Sequence, residues 1–458
     1  MSKNSVDKPN ILFFFSDQQR WDTLGCYGQE MNTTPNLDRM AAEGVRFEHA
    51  FSPQPACGPA RACLQTGKYA SELGCFRNEI ELPQNEKTIA NWISEAGYEV
   101  GYIGKWHLAC TTSNEEFLLP PVPREPRTPL QKEPVPPEKR GGYDYWLASD
   151  AIEWTSHSYD GHVFDANMQQ VEFKGYRADC VTDFALDYLR SRDGQKPFFL
   201  FLSQLEPHQE VDTNIYECPL GLEKRFENYP VPGDLADTDA YWQENYARYL
   251  AACNNLDTNI GRVMDELEKL GLAENTLIIY TSDHSCHFQT RNHKDKFSCH
   301  EASIRIPMII YGPGFKGGKV ISKLVSLLDL PPTLLSVAGL NKSDEMGGRP
   351  LQDLVDGTGA DWPEEVLIQI GDTQVGRAIR TNKWKYSVSA PDKDGRVVGV
   401  SDSYVEEFLY DLETDPHELN NLVRDPALAE VRRELAATLK RRMVEAGEKE
   451  PAIEPLLQ

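Results

Sequence analysis

Short apolar runs recur along the chain, separated by stretches in which apolar residues return at helical spacing. Asn10–Phe15, Val100–Ile103, Phe198–Leu202, Leu277–Thr281 and Pro307–Tyr311 predict short buried strands. Between them the period changes. Asn36–Glu43 predicts a helix, with Thr34 as N-cap, Pro35 in the first turn and Gly44 as the stop. Thr88–Ala96, Ala178–Arg192 and the long Tyr241–Leu270 carry the same helical pattern. Strands alternating with helices predict an α/β fold, a central sheet flanked by helices.

Two regions break the rhythm. Leu118–Arg140 is rich in proline and mixed charge and predicts a long surface excursion. From Val366 onward, Val366–Ile370, Arg377–Arg380 and Trp384–Ser387 suggest a meander, closed by an amphipathic helix over Ala427–Ala446. This predicts a catalytic α/β domain over 1–360. A smaller α+β subdomain over 361–458 would carry a short antiparallel sheet and one helix. No internal repeat stands out.

Composition narrows the partners. The 458 residues carry a formal charge of −24, from 71 acidic against 47 basic side chains. Such a surface disfavours nucleic acid and anionic membrane. An anionic substrate would therefore need a local cationic island. No apolar run approaches the length of a membrane span. Met1–Asn10 is short and polar, without the features of a signal peptide. With ten cysteines spread along the chain, this leads us to expect reduced thiols and a cytoplasmic protein. Oligomeric state is not legible.

The chemistry concentrates at Cys57-Gly58-Pro59-Ala60-Arg61-Ala62-Cys63-Leu64-Gln65-Thr66-Gly67. Pro59 suits the first turn of a helix, which would put Cys57 at a helix N-terminus facing free backbone N–H groups. With Arg61 one turn on, that environment predicts a lowered thiol pKa. Cys286-His287 and Cys299-His300 lack the spacing of a zinc site. Gly312-Pro313-Gly314 is a turn rather than a phosphate cradle.

The Cys57–Gly67 stretch resembles the signature of the formylglycine-dependent sulfatases, Cys-x-Pro-x-Arg followed by Leu-x-Thr-Gly, in the alkaline-phosphatase-like superfamily. The resemblance implies that a maturation enzyme oxidises Cys57 to formylglycine. The hydrated aldehyde then attacks sulfur through one hydroxyl and expels sulfate by collapse through the other. Asn10–Gln18 resembles the family's first ligand strand, with Asp17-Gln18 in place of its acidic pair, and Leu277–His284 resembles the second. Asp17, Gln18, Asp283, His284 and the modified Cys57 would hold a divalent metal. Oxygen ligands favour Ca²⁺; Gln18 and His284 move the preference towards Mn²⁺, and Mg²⁺ is an alternative.

Gly104-Lys105-Trp106-His107 and Pro207-His208 also match family segments. By resemblance Lys105 and Lys296 bind the sulfate group, and His107 bonds the formylglycine. His208 contacts substrate oxygens and donates a proton to the leaving alcohol. Arg61 completes the cationic set. His157, His162, Glu210 and His300 are candidate pocket residues. The resemblance runs from about residue 10 to 422, with Tyr410–Leu422 matching a structural segment near its end. It implies hydrolysis of a carbohydrate or aryl sulfate, a small-molecule ester. Phosphonate monoester and phosphodiester hydrolases share the Cys-Gly-Pro-Ala-Arg run and stay an alternative; Lys105 and His107 favour the sulfatase. A catalytically silent homologue acting as a binding protein is the third reading.

Overall fold

A computed structural model describes residues 8–109, 132–238 and 241–456. Most of the expected excursion at Leu118–Arg140 lies outside these residues; its end, from 132, includes a short turn at Pro137–Lys139.

The first twelve strands are β1 (Asn10–Ser16), β2 (Val45–Phe51), β3 (Glu99–Lys105), β4 (Tyr145–Ser149), β5 (Ser156–His157), β6 (Asp160–Asp165), β7 (Gln170–Lys174), β8 (Phe198–Ser203), β9 (Thr276–Ser282), β10 (Arg305–Ile306), β11 (Met308–Tyr311) and β12 (Lys319–Ser326). They form one sheet whose centre, β9-β1-β8-β3-β4, is parallel throughout. β11 continues it antiparallel to β9, and β2 follows, bordered also by β10 and β12. β6 closes the other side, against β4 and β5, with β7 beyond. Pro307, which has no N–H, separates β10 from β11, so the expected strand begins at Met308 instead.

The central strands are apolar on both faces because helices cover both. Ile11, Phe13 and Phe15 pack with the Cys57–Thr66, Ile89–Glu95 and Leu330–Val337 helices. Leu12 and Phe14 face the Pro35–Glu43, Arg177–Ser191 and Trp242–Lys269 helices. No helix among the described residues is long and apolar enough to cross a membrane.

A separate sheet of five strands follows: β13 (Glu365–Ile370), β14 (Gly376–Thr381), β15 (Trp384–Ser389), β16 (Ser403–Asp411) and β17 (Ala452–Glu454). The first four are antiparallel, and β17 joins β16 in parallel, so the sheet is mixed rather than purely antiparallel. The Ala429–Glu445 helix packs Leu435, Leu439 and Met443 onto this sheet. Polar groups join it to the short Glu301–Ile304 helix that leads into β10: buried Lys385 lies 2.9 Å from Glu301, with Arg380 also on Glu301, and Glu418 accepts from both Lys385 and the Glu301 N–H.

Gly104 shows how closely the parallel strands approach. Its φ is +103°, and a Cβ there would sit 1.9 Å from the Ser203 carbonyl oxygen. Gly28 has a similar φ of +104° but open space around it. Gly28→Ala should cost about 1 kcal/mol, the strain of left-handed backbone alone. Gly104→Ala should cost at least about 3 kcal/mol or prevent folding, because main chain must move. Urea unfolding midpoints of the two variants check this.

Candidate active site

Four functional side chains lie at the carboxyl ends of parallel strands, where open α/β sheets build their sites. Asp17 follows β1, Asp283 follows β9, Lys105 ends β3 and Ser203 ends β8. Arg61, on the wholly buried Cys57–Thr66 helix, reaches all four ends. Its guanidinium lies 3.0 Å from Asp17 and 3.3 Å from Asp283, and donates to the Lys105 carbonyl at 2.9 Å and to Ser203 Oγ at 2.8 Å. Lys105 Nζ sits 2.9 Å from Asp17 and 3.0 Å from Glu153, a partner with no sequence motif to announce it.

Burial opposes ionisation of Asp17, yet Lys105 and the other cations hold its carboxyl well below the usual range. Asp283 goes the other way: burial, then the Asp17 charge, pushes it up. Two carboxylates crowded this closely resist both being charged, and a cation between them removes the conflict.

Cys57 is the first residue of its helix, as expected, and is buried. Its Sγ lies 3.4 Å from Asp17 Oδ1 and 3.2 Å from His284 Nε2, and accepts from Lys296 Nζ at 2.9 Å. The expected low thiol pKa does not hold. Burial, and after it the Asp17 carboxylate, pushes the thiol up to about 12, overriding Lys105 and Lys296. As a thiol, Cys57 is a poor nucleophile here.

The surroundings of Asp17 and Asp283 suit a divalent cation. One ligand atom each from Asp17, Cys57, Asp283 and His284 lies within 4.8 Å of the others. His284 Nδ1 donates to the Ser285 carbonyl at 2.9 Å, which leaves the Nε2 lone pair facing the cluster. Burial and Lys296 keep that ring neutral. Gln18 Oε1 is buried without a hydrogen bond, and Asp283 Oδ2 has only the Arg61 ion pair at 3.3 Å. An orphaned amide oxygen and a carboxylate beside an unprotonated imidazole are what a resident cation would use.

Lys296 Nζ bridges the site, 3.3 Å from His208 Nε2 and 3.2 Å from His284 Nε2. His208 Nδ1 donates to the Gln209 carbonyl at 2.7 Å, so its Nε2 accepts from Lys296. Burial and then Lys296 lower the His208 pKa, and the ring is neutral in this arrangement. His107 is buried, in left-handed backbone with φ 61°, and its Nδ1 has no hydrogen-bond partner. Burial and Lys105 keep it neutral too.

The four candidate pocket residues do not gather with this set. His157 is exposed, 3.8 Å from Asp212. Glu210 is buried and bound by Arg177 at 2.8 Å and Ser158 at 2.6 Å. His162 lies on β6, with its ring against Phe164. His300 packs between Phe408 and Tyr410 of β16 and sits 3.1 Å from the Tyr410 hydroxyl, at the junction of the two sheets.

A sequence profile of the Sulfatase family matches residues 9–340, and one described as N-sulphoglucosamine sulphohydrolase, C-terminal, matches 291–445. The chain is 25% identical to the N-acetylglucosamine-6-O-sulfatase of Bacteroides thetaiotaomicron, covering 98% of this chain and 88% of that protein. It is 29% identical to the arylsulfatase of Clostridium perfringens, covering 91% and 90%. A structure solved in complex with its substrate D-glucosamine-2-N,6-O-disulfate superposes with a TM-score of 0.76 at 25% identity, covering 97% and 99%. Strand ends, buried cations and matched profile agree: the chain belongs to the sulfatase family, the sulfuric ester hydrolases of the alkaline-phosphatase-like fold.

Proposed function

We propose that this chain hydrolyses the sulfate ester of a small sugar, ahead of an aryl sulfate, after a maturation enzyme has oxidised Cys57 to formylglycine. The observation that carries the reading is the convergence on Cys57: Lys296 at 2.9 Å and His284 at 3.2 Å, with Arg61 and Lys105 anchored on Asp17. One relative above is named an N-acetylglucosamine-6-O-sulfatase, and the solved structure above holds a glucosamine disulfate as its substrate, which supports the sugar. The chain's own pattern supports sulfate over phosphonate through Lys105 and His107.

Formylglycine, as its hydrate, supplies one hydroxyl to attack sulfur and a second through which sulfate is released without water attacking sulfur. The chain's residues do the rest. The Cys57 sulfur marks where the nucleophilic carbon's substituents lie, and the Lys296 ammonium beside it would meet the sulfate oxygens. Lys296 and His208 share one N–H···N hydrogen bond, and this pair would supply the proton to the leaving alcohol. His107, with its free Nδ1, would receive the hydrogen bond of the formylglycine hydroxyl.

Asp17, Gln18, Asp283 and His284, with the modified Cys57, would hold the metal, for which Ca²⁺ is our first choice over Mn²⁺ and Mg²⁺. The carboxylates of Asp17, Asp283 and Glu153 balance Arg61, Lys105 and Lys296. A divalent ion therefore leaves a local positive surplus, the cationic island an anionic ester needs on a chain of charge −24. The ten cysteines, spread along the chain rather than packed into a small scaffold, are the reason for proposing a cytoplasmic setting.

Two outcomes follow. Lys296→Met should lower kcat/KM for a sulfate ester by about 10²–10³-fold, as loss of one oxyanion-stabilising group does, while circular dichroism shows a folded protein. On one preparation, aryl and sugar sulfates should outpace an aryl phosphonate and a phosphodiester. Phosphonate turnover faster by orders of magnitude would overturn the sulfate assignment.

A further inference from the structure

An amide that must offer its oxygen to a cation has to be told which way to face, because its other end is a donor. Resting on the reading of Gln18 as a metal ligand, we propose that Gln209, Tyr216 and Asp295 are positioning residues that fix the orientation of the Gln18 amide. Gln18 is wholly buried. Its Nε2 donates to Gln209 Oε1 at 2.7 Å and to the Tyr216 hydroxyl oxygen at 2.9 Å, and approaches Cys286 Sγ at 3.7 Å. Its Oε1 is left without a hydrogen bond.

The direction of this chain is set at its far end. Gln209 could present either end of its own amide, but its Nε2 donates to Asp295 Oδ2 at 3.0 Å. A carboxylate only accepts, so Gln209 must turn its oxygen to Gln18, and Gln18 must turn its nitrogen to Gln209. Asp295 is buried and also accepts from the Tyr241 hydroxyl and, at 3.4 Å, from Tyr216. The Gln18 backbone is held as firmly. It adopts φ 67°, its N–H donates to Asp283 at 3.0 Å and its carbonyl accepts from Tyr249 at 2.6 Å. Flipping the amide would set oxygen against the Gln209 oxygen and an N–H against the cation site, so both ends would lose at once.

A carboxylate at position 18 would need no such control, since both of its ends are acceptors. That difference supplies the test. Ca²⁺ affinity is measured by titration calorimetry on the full-length protein after chelator treatment, with circular dichroism confirming each fold. Gln209→Leu should weaken Ca²⁺ binding by about 10- to 100-fold, as loss of a group that orients a metal ligand does. In a Gln18→Glu background, the same replacement should change affinity by no more than about twofold. Equal losses in both backgrounds, or no loss in the first, overturn the positioning role while leaving Gln18 a ligand. Ca²⁺ binding that is absent from the unsubstituted protein, or unchanged in Gln18→Ala, overturns the ligand reading and the positioning role with it.

Discussion

Arg61 holds the active site together. A guanidinium buried in the middle of a protein is costly to desolvate, and this one is offset by two carboxylates, a main-chain carbonyl and a serine hydroxyl. These partners belong to the ends of β1, β9, β3 and β8. Strands apolar on both faces have no polar side to set their register, so polar anchors at their ends matter more than usual. Removing one partner of such a buried pair costs about 3–5 kcal/mol. Here loss of Arg61 would also leave Lys105, on Asp17, as the remaining close counter-charge to the Asp17–Asp283 pair.

The same arrangement explains why Cys57 suits a modified nucleophile better than a thiolate. Asp17 lies within 3.4 Å of the sulfur, and burial disfavours charge there altogether. A site built to stabilise negative charge on a bound anion has placed Lys296 and Lys105 close by, yet Asp17 and Asp283 consume much of that field. In our reading a divalent cation returns it. Cys57, the cation ligands and the sulfate-binding lysines are then one balanced set of charges.

Much of this was legible in the sequence, the strands from its pattern and the site residues from the family resemblance. Asp17 and Asp283 each stand one serine beyond an apolar run and Lys105 one glycine beyond, so the strand ends could be placed, while the family resemblance supplied their roles. The Gly-Lys-Trp-His and Pro-His segments added His107 and His208. Other strands escaped because their patterns are not apolar runs: β12 is largely exposed and β6 half-exposed, so neither differs much from a loop. The thiol pKa was misjudged because a helix terminus is visible in sequence whereas burial beside Asp17 is not. His300 follows the Lys296 segment closely in sequence, but the chain turns there and buries it against β16. Gln209, Tyr216 and Asp295 meet only through folding, and no spacing announces them.

Mass measurement of the Cys57-bearing peptide, from protein made in its native host, shows whether Cys57 carries the nucleophile as formylglycine. An aldehyde in place of the thiol at Cys57 is the expected result. A peptide carrying unmodified cysteine, from a preparation that turns over sulfate esters, would contradict it.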